Sequence, residues 1–176
     1  MNVFILNTGR CGSTTFIKAC EHITNFSSAH ESLSTHVGIN RFAYPTRHIE
    51  ADNRLSWFLG RLDSIYGNDA FYVHLNRDKQ KTIDSFSKRE EYGIMKAYKE
   101  GILLGGKKEQ SAIEIAEDYV DTIEFNIELF LKDKTSKMNF SLENAVHDFD
   151  MFYKKIAAKG NLQAALNEFT INYNAS

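Results

Sequence analysis

The 176-residue chain has one proline, Pro45, and no Gly-, Ser- or Pro-rich stretch of the kind that joins domains, so a single domain over residues 1–176 is expected. Its two cysteines, Cys11 and Cys20, are too few and too close together for a disulfide framework, which fits a reducing compartment. No apolar run approaches the ~20 residues of a membrane span, and a start that leads straight into a core strand predicts no signal peptide. A cytoplasmic location follows as the expectation. Nor is there a surplus of either charge. With 21 basic and 23 acidic residues the net charge is −2, so the chain lacks the electrostatic footprint of a nucleic-acid or membrane-surface protein. Any anion site must therefore be built locally. The six histidines show no metal-ligand spacing, and no metal site is expected.

What is present begins at the N-terminus. Val3 to Leu6 is a short apolar run that reads as a buried strand. Gly9 and Gly12 bracket a polar turn, and Phe16, Ile17 and Ala19 open a helical pattern. A strand, a glycine-containing turn rich in hydroxyls and a helix start form a receptacle for a phosphate or sulfate. The first amides of the helix point at the anion and the helix dipole favours its charge.

Further along, the pattern predicts a helix over 13–23, irregular chain over 24–45, a strand near 47–51 and a helix through Leu55, Trp57, Phe58, Leu62 and Ile65. A turn at 67–69 precedes a strand over 70–75 that ends in Asn76-Arg77-Asp78. A helix begins at Lys79, broken near Gly93 and at 101–106. The strongest helical periodicity runs over 108–132, with Ile113, Ala116, Val120, Ile123, Ile127 and Leu131. A last strand over 138–142 and helices over 149–158 and 162–169 complete the chain. This alternation predicts a three-layer α/β fold of the P-loop NTPase-like type, with a mainly parallel sheet flanked by helices. Ligands of such sheets sit at the carboxyl ends of the strands, where both the 8–15 turn and the 76–78 segment fall.

The turn Gly9-Arg10-Cys11-Gly12-Ser13-Thr14-Thr15 is not a Walker A loop, because no lysine follows the second glycine. It is not a phosphatase loop either, since Ile17 stands where C-x5-R needs arginine. Arg10 and three consecutive hydroxyls suit a terminal anion, and no acidic partner for Mg²⁺ follows the first strand.

The turn resembles the 5′-phosphosulfate loop of sulfotransferases that use PAPS (3′-phosphoadenosine 5′-phosphosulfate), approximately P-[KR]-[ST]-G-[ST]-[ST]. Arg10 takes the basic position, Cys11 a hydroxyl position, Gly12 the glycine, and Ser13 and Thr14 the hydroxyls. The departures are Thr8-Gly9 where a proline is common, Cys11 for a hydroxyl, and polar Thr15 for an apolar residue. Tyr72-Val-His-Leu-Asn-Arg77, with Ser85 eight residues later, is similar to the family's 3′-phosphate motif, in which a strand-end arginine and a helical serine hold that phosphate.

The resemblance implies sulfonate transfer from PAPS, without a metal, to a hydroxyl or amine acceptor, leaving PAP. Arg10, Cys11, Gly12, Ser13, Thr14, Thr15, Arg77 and Ser85 would bind the donor. Glu31 matches the glutamate base of carbohydrate and tyrosyl-protein sulfotransferases, and His30 is the alternative base. Small-molecule, carbohydrate, lipid and peptide acceptors all stay open, and a short chain leaves few acceptor-binding insertions. The late R-K-G-x-x-G-D-W segment that covers the nucleotide in many cytosolic members has no match. A small nucleotide kinase and a non-catalytic nucleotide-binding protein are the rival readings.

Other polar residues have simpler expectations. His74 is read as a bonded core histidine, Trp57 and Phe58 as core, and Lys107-Lys108 as a solvated helix start. Glu50, Asp52, Asn53 and Arg54 are read as a solvated strand end, with the acceptor cleft as the alternative.

Overall fold

The computed structural model describes residues 1–171. Its sheet has five strands, β1 (Val3–Leu6), β2 (Ser27–His30), β3 (His48–Ala51), β4 (Phe71–Asn76) and β5 (Lys137–Ser141). Their order is β2-β3-β1-β4-β5, and every neighbouring pair is parallel. Parallel neighbours need crossover connections, which lay helices over both faces of a sheet. These are α1 (Ser13–Cys20), α2 (Leu59–Tyr66), α3 (Lys79–Ser87), the short α4 (Gly93–Ala97), α5 (Ala112–Leu131), α6 (Ala145–Lys155) and α7 (Leu162–Asn167).

Side chains on a strand alternate between faces, and β1 is apolar on both. Val3 and Ile5 join Phe16, Phe149 and Phe152 beneath α1 and α6, while Phe4 and Leu6 join Leu62, Ile83 and Ile123 beneath α2, α3 and α5. An unbroken apolar run is the mark of such a doubly covered strand. Val3 lies between Ile49 and Phe71, and Ile5 between Ala51 and Val73. This register aligns the carboxyl ends of β1, β3 and β4 at one edge of the sheet. Phe16, in the first two turns of α1, packs edge-on against Phe140 at 4.9 Å and Phe149 at 5.5 Å. Those contacts fix the start of α1 over that edge.

The three-layer architecture agrees with expectation, and several details correct it. The 24–45 stretch contains β2, whose Ser27-Ser-Ala-His30 has no apolar pattern to reveal it. Its support comes from β3: the fully buried Glu50 accepts from Ser32 N at 2.7 Å, Ser32 Oγ at 2.6 Å and His48 Nε2 at 2.9 Å. His48 Nδ1 is in turn 2.8 Å from Ser27 Oγ. Glu50 and Asp52, expected at a solvated strand end, are both fully buried. The first helix stops at Cys20 rather than at 23, and residues 53–57 form a 3₁₀ turn ahead of α2. Helix α6 starts at Ala145, four residues early, and a 3₁₀ turn over 168–170 follows α7. His74 is buried as expected, with Nε2 2.8 Å from Glu124 Oε2.

Removing a buried carboxylate leaves its donors without partners. Glu50→Ala is expected to cost about 3 kcal/mol, read as a lower urea midpoint. Amides of β2 should lose hydrogen-exchange protection before those of β1 and β4.

Candidate active site

The turn after β1 is held from behind. Asn7 donates from its side chain to Ile5 O at 2.9 Å and accepts from Gly9 N at 2.9 Å. Tyr119 of α5 donates to Thr8 O at 2.7 Å, and Ser56 Oγ donates to Asn7 O at 3.1 Å. Gly9, Arg10 and Gly12 all have left-handed backbone, with φ of 90°, 60° and 89°. Gly12 caps α1 with no side-chain hydrogen bond, and the first turn of α1 carries no acidic residue. A Cβ at Gly12 would lie 2.6 Å from Leu142 Cδ1, so a side chain there would have to displace Leu142 as well as adopt a left-handed backbone. A helix start with no side-chain cap and no acidic residue in its first turn leaves amides available to an anion.

The site's polar centre is a group of three guanidinium side chains. Arg10 Nε donates to Ser85 Oγ at 3.0 Å, and Arg89 Nη1 donates to the same oxygen at 3.3 Å and to Ser85 O at 2.8 Å. Arg77 Nη1 reaches Arg10 O at 3.3 Å. Burial, then the charges of Arg89 and Arg77, hold Arg10 below the ordinary arginine range. Like charges drawn this close favour an anion among them.

These residues line a cavity of about 590 Å³ with Gly9, Gly12, Ser13, Thr14 and Thr15 on one side and His30, Glu31, Asn53 and Arg54 on another. Phe86, Tyr92 to Met95 and Phe169 to Ile171 supply its less polar walls. His30 Nε2 lies 3.0 Å from Ser13 Oγ, tying the end of β2 to the first turn of α1. Glu31 follows directly. Its Oε2 pairs with Arg54 Nη1 at 2.8 Å and its φ is 55°, left-handed like Arg10. Strained backbone of this kind costs ~1–3 kcal/mol and clusters where geometry serves function.

Arg10, Gly12, Ser13, Thr14, Thr15, His30, Glu31 and Arg77 are thus brought together around one cavity. Two of the expected residues stand differently. Cys11 is 1% exposed and packs in the core under α1. Ser85 stands behind the cavity wall as the acceptor shared by Arg10 and Arg89. Sequence reasoning passed over Arg89. Its one signal was its place four residues after Ser85, and in the structure it lies in the turn just past the end of α3. The late contribution of Phe169 to Ile171 had no signal in the motifs. Among the described residues, no group of three or more His, Cys, Asp and Glu is placed to hold a metal, and no helix is long and apolar enough to cross a membrane.

The architecture has a counterpart among solved structures. The chain superposes on a sulfotransferase domain from the curacin biosynthetic pathway with a TM-score of 0.68 and 14% identity, over 99% of this chain and 78% of that one. The fold is sulfotransferase-like. No protein-family model and no curated protein matches the chain.

Burial pushes the Cys11 thiol up from 9.0 to about 12, helped by the charge of Glu124, and raises Cys20 well above its ordinary value. The unfolded chain loses these protons near pH 9 and the folded chain keeps them. For Cys11 stability is therefore full below pH 9 and falls as pH rises from there towards 12, by about 1.4 kcal/mol per pH unit, and Cys20 acts in the same direction. Urea unfolding between pH 7.5 and 10.5 should show a midpoint that is flat and then declines, and iodoacetamide at pH 8 should label neither thiol until the chain is unfolded.

Proposed function

We propose that this chain transfers a sulfonate group from PAPS to a hydroxyl acceptor. The observation that carries the reading is the convergence of Arg10, Arg77 and Arg89 about Ser85, beside the uncapped start of α1. That arrangement fits a polyanionic ligand, met by Arg10 from the turn, Arg77 from the end of β4 and Arg89 from just past α3. The likeness of fold to a sulfotransferase domain supports the same reading.

PAPS supplies a sulfonate activated by its bond to phosphate; in-line attack by the acceptor oxygen forms a new S–O bond, breaks that to phosphate, and leaves PAP. Arg10 and the amides of Gly12 to Thr15 hold the phosphosulfate and meet the charge that grows on the leaving phosphate. Arg77 and Arg89 hold the 3′-phosphate. Always charged and forked, they anchor it in one orientation. Ser85 positions Arg10 and Arg89. Glu31 takes the acceptor's proton, its carboxylate oriented by Arg54. His30, bonded to Ser13, steadies the first turn of α1.

Thermal unfolding with PAP, 5′-AMP and Mg-ATP tests the donor assignment. A ligand at 100 times its dissociation constant adds about 2.7 kcal/mol of stability. PAP is expected to stabilise the wild type, and Arg77→Ala and Arg89→Ala are expected to abolish the effect. Arg10→Ala should lower the transfer rate by about 10²–10³, as for other oxyanion donors. Glu31→Gln should lower turnover while leaving PAP binding intact. Stabilisation by Mg-ATP in place of PAP overturns the proposal in favour of a nucleotide kinase. PAP binding with no Glu31-dependent transfer to any acceptor overturns it in favour of a binding protein.

A further inference from the structure

A second cavity, of about 410 Å³, opens beside the donor cavity, and Arg54 and Ile94 line both. Its walls are Val37, Trp57, Phe58, Ile94, Tyr98 and Ile102. Two of them are strongly exposed, Val37 at 83% and Ile102 at 57%, although nothing in the motifs calls for apolar surface there. The wall from Tyr98 to Ile102 is a single π-helical stretch, an irregularity frequent at functional sites. The volume lies within the ordinary range for small-molecule sites.

The inner end of this groove is set by chemistry already described. Arg54 stands at the junction with its Nη1 on Glu31 Oε2 at 2.8 Å, and Ser34, another lining residue, donates its N–H to Glu31 O at 3.2 Å. A molecule in the groove therefore ends beside the carboxylate assigned as base.

The groove's charged members are committed elsewhere. Arg41 is 3% exposed and donates from Nη2 to Asp52 Oδ2 at 2.6 Å. Arg61 donates to Gly38 O at 2.7 Å and lies 4.6 Å over the Phe42 ring. Among the described lining residues, the remaining polar side-chain groups are those of Ser34 and His36 and the single polar atoms of Trp57 and Tyr98. A sugar, with a hydroxyl on nearly every carbon, would lose its water here and find few partners in return. A hydrocarbon body loses nothing by entering. Arg41 Nη1 and Trp57 Nε1, both buried N–H groups on lining residues, have no hydrogen-bond partner among the described residues, which leaves a place for an oxygen on an otherwise apolar ligand.

We propose that this groove is the acceptor site and that the acceptor is an alcohol or phenol with a hydrocarbon body, its hydroxyl delivered to Glu31. The assignment rests on the sulfonate-transfer reading above. Specificity then comes from the 37–39 loop and the 98–102 wall, and the donor cavity has no role in choosing the acceptor.

Trp57 is the chain's single tryptophan, so its emission reports the groove alone. With PAP bound, 1-octanol should change that emission saturably, and methyl β-glucoside should not. Labelled sulfonate from PAPS should pass to 1-octanol or 2-naphthol with kcat/KM at least about tenfold above that for methyl β-glucoside. Val37→Asp and Ile102→Glu, at exposed positions that folding tolerates, should each weaken octanol binding by about tenfold or more and keep stabilisation by PAP. Intact PAP stabilisation with no octanol response, or with methyl β-glucoside as the better acceptor, overturns the groove assignment and leaves the donor reading standing. Dimerisation in sedimentation that excludes octanol from Trp57 overturns it in favour of an interface between two copies. Loss of PAP stabilisation in the wild type removes the donor reading, and the acceptor role with it.

Discussion

The fully buried carboxylate of Asp52, one residue past β3, is the point on which the two cavities depend. It accepts from Arg41 Nη2 at 2.6 Å and from the Arg54 amide at 2.9 Å, and the Arg54 guanidinium stands 3.7 Å away. Arg41 belongs to the groove wall, and Arg54 reaches the carboxylate of Glu31. A buried ion pair adds little net stability by itself, yet losing one partner is costly because the other stays buried and charged. The pair therefore acts as a fixed corner. Through it the end of β3 dictates where the 38–42 turn lies, where Arg54 points and how Glu31 is held.

Glu50, within β3, has a similar role. It holds Ser32 and His48, and through them the edge strand β2 that carries His30 and Glu31 to the cavity. The cavity is thus supported by two buried carboxylates, one in β3 and one just past its end, while Arg10, Glu31, Arg54 and Arg77 line it from just beyond the ends of β1, β2, β3 and β4. The aromatic packing of Phe16 on Phe140 and Phe149 locks the last variable, the position of the start of α1.

How much of this could be read in advance divides along physical lines. Strands β1 and β4 and helix α5 were visible because burial writes its period directly into the apolar residues. Arg10, the hydroxyls of 13–15 and Arg77 were visible because cations and hydroxyls placed just past apolar strands stand out from the runs before them, and all of them line the cavity. Strand β2 was not, because Ser27 to His30 is held by polar side chains of its neighbour and has no apolar face of its own. Glu50 and Asp52 looked like solvent-facing residues because charge in a sequence gives no sign of the partners that neutralise it. Arg89 escaped because its role arises from convergence with Arg10 and Arg77, distant in the chain, and the burial of Cys11 because a small thiol fits core and loop equally well.

The crowding of Arg10, Arg77 and Arg89 has one more consequence. Their mutual repulsion contributes to the free energy of the empty protein, and a polyanion relieves it on arrival. The folded chain is then more resistant to proteases when such an anion is plentiful than when it is scarce, because a ligand that binds only the native form withdraws molecules from the unfolded pool. The amount of this protein would in that way follow the supply of whatever polyanion fits its three arginines, through stability alone.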